Sequence, residues 1–421
     1  MVTMLIINLT FLEDIVVGND YTPLDSYEIL VPKMKSLIIL GRQPAIGIAE
    51  LESLYGEDNL QRTSLNTVML KNDPSSINFS RLGGALKLGN IIGEINNNNL
   101  QNGLTNLVSK IELPTNSKIT LGLSAYDIKT SAKYLQSLAL TLKKSIRLKG
   151  VNVRVVPNRE ISLNTAQVLH NKLASNQGIE LLLVAFGKKI IVARTTNVQD
   201  ITNYASRDQM RPKRDSRVGM LPPKLAQIII NLASANTETK DKYVLDPFCG
   251  TGVLLQEALL MGYNVIATDI DSRMVEYSNI NIEWLKQRWN NIYGSINISI
   301  GDARTHEWNQ KIDYVASETF LGEPLTSIPS EEHLQKIISE VDAIHKDFLK
   351  NIHTQLLPNT RICLAIPAWH IKGRFLHLPI LDQLAILGYN RVAFKHVDSQ
   401  ELIYHRPDQL VARELVTLTR K

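Results

Sequence analysis

The sequence predicts an α/β protein whose C-terminal half is a doubly wound parallel sheet, preceded by two small α+β units. From Leu221 onward, helical and strand patterns alternate, as they do in βαβ units. Within that half, Gly250 and Gly252 follow an apolar strand directly and precede a helix. The first 200 residues instead combine short strands with a few helices, which is typical of small α+β domains.

Length and composition fit this organisation. The chain has 421 residues, which suits two or three domains, and its 44% hydrophobic and 21% charged residues are ordinary for a globular protein. Its 46 basic and 41 acidic residues give a net charge of +5. This mild excess of positive charge permits a polyanionic partner without requiring one. Whether the chain binds a polyanion therefore depends on where its charges lie.

Cysteine and histidine usage argues against metal and disulfide chemistry. The two cysteines, Cys249 and Cys363, cannot form a disulfide framework or a four-thiolate zinc site. The nine histidines show no pair at metal-ligand spacing. No apolar run reaches the roughly 18–20 residues that a membrane span needs. We therefore expect a cytoplasmic protein without a metal ion and without membrane contact.

The pattern predicts several local elements and divides the chain into four larger segments. Leu37–Leu40 is a buried strand, and Pro44–Leu54 has helical spacing. Ser131–Lys149 is predicted to be a helix with a basic face, and Asp200–Pro223 a linker or capping segment. The expected segments are an N-terminal extension at 1–35, a first α+β unit at 36–111, a second at 112–200, and the doubly wound domain at 201–421.

The most informative segment is the turn after the first strand of the doubly wound half. Asp246 ends that strand, and Gly250 and Gly252 let the backbone turn sharply beside a helix N-terminus. The third glycine of the dinucleotide fingerprint is missing, because position 255 is Leu. A carboxylate at Asp246 would repel a pyrophosphate but suits a cationic ligand. S-adenosylmethionine, with its ammonium and sulfonium groups, fits that charge.

Two further acids follow the next two strands. Asp269 lies near the spacing of about 20 residues expected for a ribose-binding acid. Asp302, before Ala303, can hold an adenine amino group. Each acid alone could be a turn or helix-cap residue. Together they predict an S-adenosylmethionine site in which Asp246, Gly250 and Gly252 hold the methionine part.

These motifs resemble a known family. Asp246–Gly252 (DPFCGTG, including Phe248), Ala267–Asp271 and Gly301–Ala303 are similar to the class I methyltransferases of the THUMP-containing tRNA guanine-N2 group. Gly219–Ala226 and Leu40–Leu54 resemble the motif ahead of that family's catalytic sheet and its ferredoxin-like leader. The resemblance implies a ferredoxin-like 36–111, a THUMP-like RNA-binding 112–200, and a tRNA or other structured RNA as partner.

The fourth strand departs from the family pattern. Amino methyltransferases end it in Asp/Asn-Pro-Pro-Tyr/Phe, which positions the exocyclic amine for methyl transfer. Here it ends Glu318-Thr319-Phe320-Leu321-Gly322. Glu318 could accept the amino hydrogens with Phe320 stacking on the base. Alternatively, the site methylates another atom or base, or catalysis is lost and an RNA-binding protein remains.

A basic run lies at the entry to the catalytic half. Such a run is often only a solvated face, but here it adjoins the predicted active site and could hold phosphates. The predicted RNA-binding residues are Arg207, Arg211, Lys213, Arg214, Arg217 and Lys224. Arg406 and Arg413, near the C-terminus, could line an RNA entrance or form ordinary hairpin salt bridges. A DNA amino methyltransferase is the rival enzyme, although the two N-terminal units resemble RNA-binding modules.

Overall fold

The structure is a computed structural model. It describes residues 34–112, 118–215, 220–235, 237–290, 292–325 and 327–421, which belong to one compact unit that begins at Met34. Most of the expected extension at 1–35 lies outside these residues. In the described part, no helix is both long and apolar enough to cross a membrane.

The first sheet contains eight strands in the order β2-β3-β1-β4-β8-β7-β5-β6. Its strands are β1 Ser36–Leu40, β2 Leu60–Arg62, β3 Thr67–Leu70, β4 Ala85–Asn96, β5 Lys118–Tyr126, β6 Asn152–Val155, β7 Gly178–Phe186 and β8 Lys189–Val198. The helices in this half are α1 Pro44–Tyr55, α2 Leu100–Ser109, α3 Ala132–Arg147, α4 Thr165–His170 and α5 Ile201–Gln209.

The two expected N-terminal units share this sheet. β4 pairs antiparallel with β8 from Lys87↔Val198 to Asn96↔Lys189, across the expected boundary at 111. A hairpin at Gly187-Lys188 joins β7 and β8, and the predicted basic helix is α3, capped by Ser131. The domain boundaries stay a prediction, because one continuous sheet spans both units.

The second sheet forms the doubly wound half, with the order β11-β10-β9-β12-β13-β17-β15. Its strands are β9 Tyr243–Asp246, β10 Asn264–Asp269, β11 Ile296–Ile300, β12 Tyr314–Glu318, β13 Arg361–Ile371, β14 Arg374–Leu376, β15 Tyr389–Arg391, β16 Ile403–Tyr404 and β17 Val411–Arg420. Its helices are α6 Pro223–Ser234, α7 Val253–Leu260, α8 Ser272–Arg288 and α9 Glu331–His353.

Strand directions confirm the predicted fold class. β11, β10, β9, β12 and β13 are parallel. At the far side, β17 alone runs antiparallel, between β13 and β15. The order reverses at β9, so the switch point of the sheet lies beside that strand. In open α/β sheets, ligands bind in the crevice at the carboxyl ends of the strands at such a switch point.

Helix packing places a shared core between the two halves. One apolar cluster joins Ile38 and Leu51 of the first half to Ile229 and Leu254 of the second. A separate cluster packs α9 against the other face of the second sheet. The expected linker at Asp200–Pro223 was wrong in part, because α5 occupies Ile201–Gln209 with Asp200 as its N-cap.

Candidate functional site

The carboxyl ends of the parallel strands open into a cavity of about 540 Å³. Most of the residues predicted from sequence line it: Asp246, Phe248, Gly250, Asp269, Asp302, Ala303, Glu318 and Phe320. Parallel strands deliver their last residues to one edge of a sheet, which explains the convergence. Gly252 lies just behind this lining, at the N-cap of α7.

The turn after β9 is shaped by its two glycines. Gly250 has φ +51° and Gly252 has φ +78°, in the left-handed region that favours glycine. A Cβ at Gly252 would approach Ser278 Oγ to 2.8 Å, so only glycine packs there. A Cβ at Gly250 would meet nothing within 4 Å, which leaves open space beside the turn. This open cradle has room for a ligand against the backbone.

Asp246 is the most buried acid of the cavity. Its Oδ1 accepts hydrogen bonds from Ser317 Oγ (2.6 Å) and Phe248 N (3.2 Å). Burial raises its pKa to about 7, against the lowering effect of these hydrogen bonds, and the charges of Asp269 and Glu318 raise it further. Three neighbouring carboxylates with few cations create a strongly negative cavity, which favours a cationic ligand.

Asp269 is fixed by the backbone. Its Oδ2 accepts from Gly250 N (2.8 Å) and its Oδ1 from Asp271 N (3.0 Å). Burial is the main cause of its raised pKa, and the two amide donors oppose it. The carboxylate oxygens can each accept further hydrogen bonds, so this fixed acid is suited to the paired hydroxyls of a ribose.

Asp302 is less available than the sequence suggested. The guanidinium of Arg304 donates to both of its oxygens, at 2.6–3.1 Å, and lowers its pKa. Both side chains are partly exposed, so the pair is weak and can open for a ligand. Ala303, which is buried, is the backbone neighbour of this pair in the cavity wall.

Glu318 ends β12 and forms an ion pair with Arg413 of β17, whose guanidinium donates to Oε1. Both side chains are largely buried. Burial raises the pKa of Glu318, while the charge and hydrogen bond of Arg413 lower it. Of the two roles considered for Arg413, the structure shows a salt bridge, and its partner is Glu318 in the cavity wall.

The residues after Glu318 occupy distinct environments. Thr319 is buried, with its hydroxyl 2.6 Å from His345 Nε2. His345 also contacts Val341 O through Nδ1, and burial lowers its pKa to about 4, so the ring is neutral. Phe320 is 43% exposed and lines the cavity, which makes its ring accessible to an aromatic ligand. Gly322 turns the chain at φ +86°.

The basic run divides into structural and accessible cations. Arg207 is buried and donates two nitrogens to Glu257 (2.6 and 3.2 Å). Lys224 donates to Gln199. Arg211 is buried and has no hydrogen-bond partner in the described part of the chain, whereas Arg214 is exposed. Lys213 lies over the Tyr277 ring at 5.0 Å.

Arg217 lies outside the described residues. In the described part of the chain, no group of three His, Cys, Asp or Glu side chains is arranged to hold a metal ion. Sequence reasoning missed the partners of the site, Ser317, His345 and the Arg413 ion pair, because they come from separate strands and helices and leave no local spacing signal.

Comparison with known proteins gives partial matches. A DNA methylase family model matches residues 192–281. Two curated relatives are named tRNA (guanine(10)-N2)-dimethyltransferase. The protein from Methanothermobacter thermautotrophicus is 32% identical over 151 residues, which cover 35% of this chain and 39% of the relative. That from Methanocaldococcus jannaschii is 28% identical over 188 residues, which cover 42% of this chain and 51% of the relative.

The chain thus matches about two fifths to one half of the length of these relatives. Among solved structures, TrmN from Thermus thermophilus aligns with 92% of this chain and 100% of its own, at 15% identity and a TM-score of 0.49. The sequence matches support the resemblance to tRNA guanine-N2 methyltransferases noted above. The THUMP assignment stays a prediction. Over part of its length, this chain is similar in sequence to tRNA (guanine-N2) methyltransferases.

Proposed function

We propose that the protein is an S-adenosylmethionine-dependent methyltransferase that modifies the exocyclic N2 amine of a guanine in tRNA. One observation carries the proposal: the three cofactor acids, the Gly250 cradle and Glu318 all open into the same cavity. The curated relatives, named tRNA (guanine(10)-N2)-dimethyltransferase, supply the substrate class.

The cofactor residues act by charge and shape. Asp246 and the Gly250–Gly252 turn would hold the methionine part, and Asp269 the ribose hydroxyls. Phe248, Asp302 and Ala303 would hold the adenine, once Arg304 releases Asp302. The open space beside Gly250 and the negative lining fit a ligand that carries an ammonium and a sulfonium. When bound, the cofactor would supply an electrophilic methyl group.

Glu318 would position the nucleophile. Oε1 is held by Arg413, and Oε2 has no hydrogen bond from a described residue, so Oε2 can accept an N–H of the guanine amine. That bond would orient the nitrogen lone pair, with the exposed Phe320 ring stacking on the base. Glu is one methylene longer than the family's Asp, and the anchor to Arg413 restrains that extra reach. After transfer, Glu318 would receive the amine proton.

The RNA would approach across the accessible part of the basic run. Arg214 and Lys213 remain available to phosphates, and the buried Arg211 has no hydrogen-bond partner among the described residues. The exposed basic residues of α3 would give a second phosphate track on the second unit. A guanine within a helix would have to flip out of its stack, at a cost of a few kcal/mol.

Methyl transfer from labelled cofactor to bulk tRNA tests the function directly. We expect label in tRNA, recovered as N2-methylated guanosine by nucleoside mass spectrometry, and none in duplex DNA. Glu318→Gln should reduce the rate at least tenfold with cofactor affinity unchanged. Label in DNA adenine or cytosine would instead favour the DNA methylase that the family model describes. Cofactor binding without any transfer would favour a non-catalytic RNA-binding protein.

A further inference from the structure

A second cavity, of about 580 Å³, lies away from the cofactor site. Its walls come from both halves of the molecule: residues 78–81 before β4, the C-terminal part of α5, the loop at 237–240, and Trp289 directly after α8. Nothing in the proposed methyl transfer uses it. Its lining is rich in hydroxyl, amide and cationic side chains, with a single acid, Glu238.

The cations of this cavity are held in place by the protein. Arg81 donates Nε to Asn231 (2.6 Å) and Nη2 to Ser234 (2.9 Å) and Tyr263 (2.8 Å). Its remaining nitrogen, Nη1, has no partner among the described residues. A guanidinium fixed on one side and free on the other is preorganised to bind an anion, because little side-chain entropy is lost on binding.

Two further cations contribute to the same cavity. Arg207 uses Nε and Nη2 for Glu257, and its Nη1 is likewise unpaired within the described chain. Lys240 is exposed and forms no ion pair with any described residue. Since Glu257 does not line the cavity and Glu238 is its one acid, the lining has a net positive charge. An anionic group is the complementary ligand.

Aromatic side chains adjoin these cations. Trp289 lines the cavity and meets Trp284 edge-on, with ring centroids 5.4 Å apart. Arg288 lies over the Trp284 ring at 5.9 Å. Both indoles are half-buried, and nearby Tyr293 is 88% exposed. Aromatic rings interleaved with cations are the surface on which single-stranded nucleic acids stack their bases.

Helix α8 connects this cavity to the cofactor site. Its first turn, with Asp271 and Met274, lines the cofactor cavity, and Trp289 follows its last residue. Seventeen helical residues extend about 25 Å. The basic run lies along the same helix, because Met210 contacts Arg288 (4.0 Å) and the Lys213 backbone is bonded to the Asn281 side chain. Lys213 N donates to Asn281 Oδ1, and Asn281 Nδ2 donates to Lys213 O (both 2.9 Å).

We propose that this second cavity binds a single-stranded segment of the RNA substrate, at the opposite end of α8 from the cofactor cavity. A base stacks on Trp289, and the adjoining phosphate binds Lys240 and the free nitrogens of Arg81 and Arg207. The inference rests on the proposed function for the identity of the RNA, although the cavity itself is independent of catalysis. It assigns a binding role to a surface that shares only Arg207 with the basic run.

Tryptophan emission of the full chain tests the proposal. The chain has four tryptophans, of which Trp308 and Trp369 are buried at 6% and 0% exposure. A ligand in the cavity can therefore quench only Trp289 and Trp284. We expect quenching by a single-stranded RNA octamer and little by the matching duplex. Trp289→Leu should abolish most of the quenching and weaken octamer binding about 5- to 100-fold.

Lys240→Glu is the second variant, because an exposed side chain can be changed without unfolding the protein. It should weaken octamer binding and reduce by about one the slope of log affinity against log salt concentration. Lys336→Glu on α9, 72% exposed and paired with Glu340, is the matched charge reversal and should bind like wild type. Wild-type affinity in both cavity variants, or AMP binding as tightly as the octamer, would overturn the proposal.

Methyl transfer to tRNA by the wild type is measured in parallel. If the wild type transfers methyl groups but RNA binding is unaltered in both cavity variants, the proposed function stands and the proposed role of the cavity is wrong. If octamer quenching is lost in both variants but the wild type transfers no methyl group, RNA binding by the cavity is supported and the proposed function is wrong.

Discussion

At the scale of single residues, the site depends on how Glu318 is held. Removing Arg413 takes away the charge and the hydrogen bond that lower the pKa of Glu318, while the burial that raises it remains. The ionised form of Glu318 is the stronger acceptor of an amine hydrogen. In Arg413→Met, the rising limb of the rate profile should therefore move to higher pH, with a loss of kcat at pH 7.

Arg413→Lys keeps the positive charge and should restore part of the low-pH activity. Glu318→Gln should lack this limb altogether. Thermal melts of all three variants separate the effect from unfolding. An Arg413→Met profile superimposable on the wild type would show that Arg413 only fills space.

A second residue-scale prediction ranks the cofactor acids. Asp269 is fixed by two backbone amides, whereas Asp302 is already occupied by Arg304. Asp269→Ala should weaken S-adenosylmethionine binding by at least tenfold, with the fold and most RNA affinity preserved. Asp302→Ala should have a smaller effect. Calorimetry measures the two affinities for S-adenosylmethionine. Equal losses of affinity in the two variants would contradict the ranking drawn from the hydrogen-bond partners of Asp269 and Asp302.

At the scale of elements, α5 shows how a helix escapes detection in sequence. Its nine residues, ITNYASRDQ, are mostly polar, so hydrophobic periodicity gives no signal. Its supports are the Asp200 cap and the Arg207–Glu257 pair, the latter 50 positions apart in sequence. By contrast, the strand expected before Asp302 is present as β11, because an apolar strand closed by Gly301 is a local pattern.

Local sequence patterns also predicted single residues of the site, but not the contacts between them. Asp246, Asp269 and Glu318 each end a strand, so strand recognition alone located them. The contact between Glu318 and Arg413 was not predictable, because it depends on the antiparallel insertion of β17 beside β13. Sequence separation of 95 residues hides such pairs from any motif.

Two arginines of the basic run differ in how much they contribute to the stability of the fold. Arg207 and Glu257 form a buried pair, and removal of one partner from such a pair costs about 3–5 kcal/mol. Arg207→Ala should destabilise the protein by that order in denaturant unfolding. Arg214→Ala, at an exposed position of the same segment, should leave stability unchanged and weaken tRNA binding. Equal stability of the two variants would contradict this division.

At the scale of the whole molecule, the two halves share one core and one buried acid. Glu50 of α1 accepts hydrogen bonds from Gly83 N and Gly84 N of the first half (2.9 Å each) and from Asn231 Nδ2 of α6 (2.7 Å). A Cβ at Gly83 would lie 2.1 Å from Lys224 O, so the halves pack at backbone contact. Unfolding should therefore be a single cooperative transition.

Glu50 also sets a pH dependence for that transition. Burial raises its pKa to about 7 despite its three hydrogen-bond donors, so the folded protein binds a proton that the unfolded chain releases near 4.5. Its contribution to the free energy of unfolding is full below pH 4.5 and is lost as the pH rises through 7. The loss is about 3 kcal/mol.

Denaturant unfolding between pH 5 and 8 measures this slope, and Glu50→Gln should flatten it. Asp246, whose pKa is also raised to about 7, contributes a slope of the same sign that Glu50→Gln leaves in place. Cofactor binding at Asp246 should oppose this pH dependence of stability, because the cationic ligand favours the ionised form of Asp246. The saturated protein should then lose less stability with rising pH than the free protein, and an identical slope in both would contradict the contact between Asp246 and the ligand.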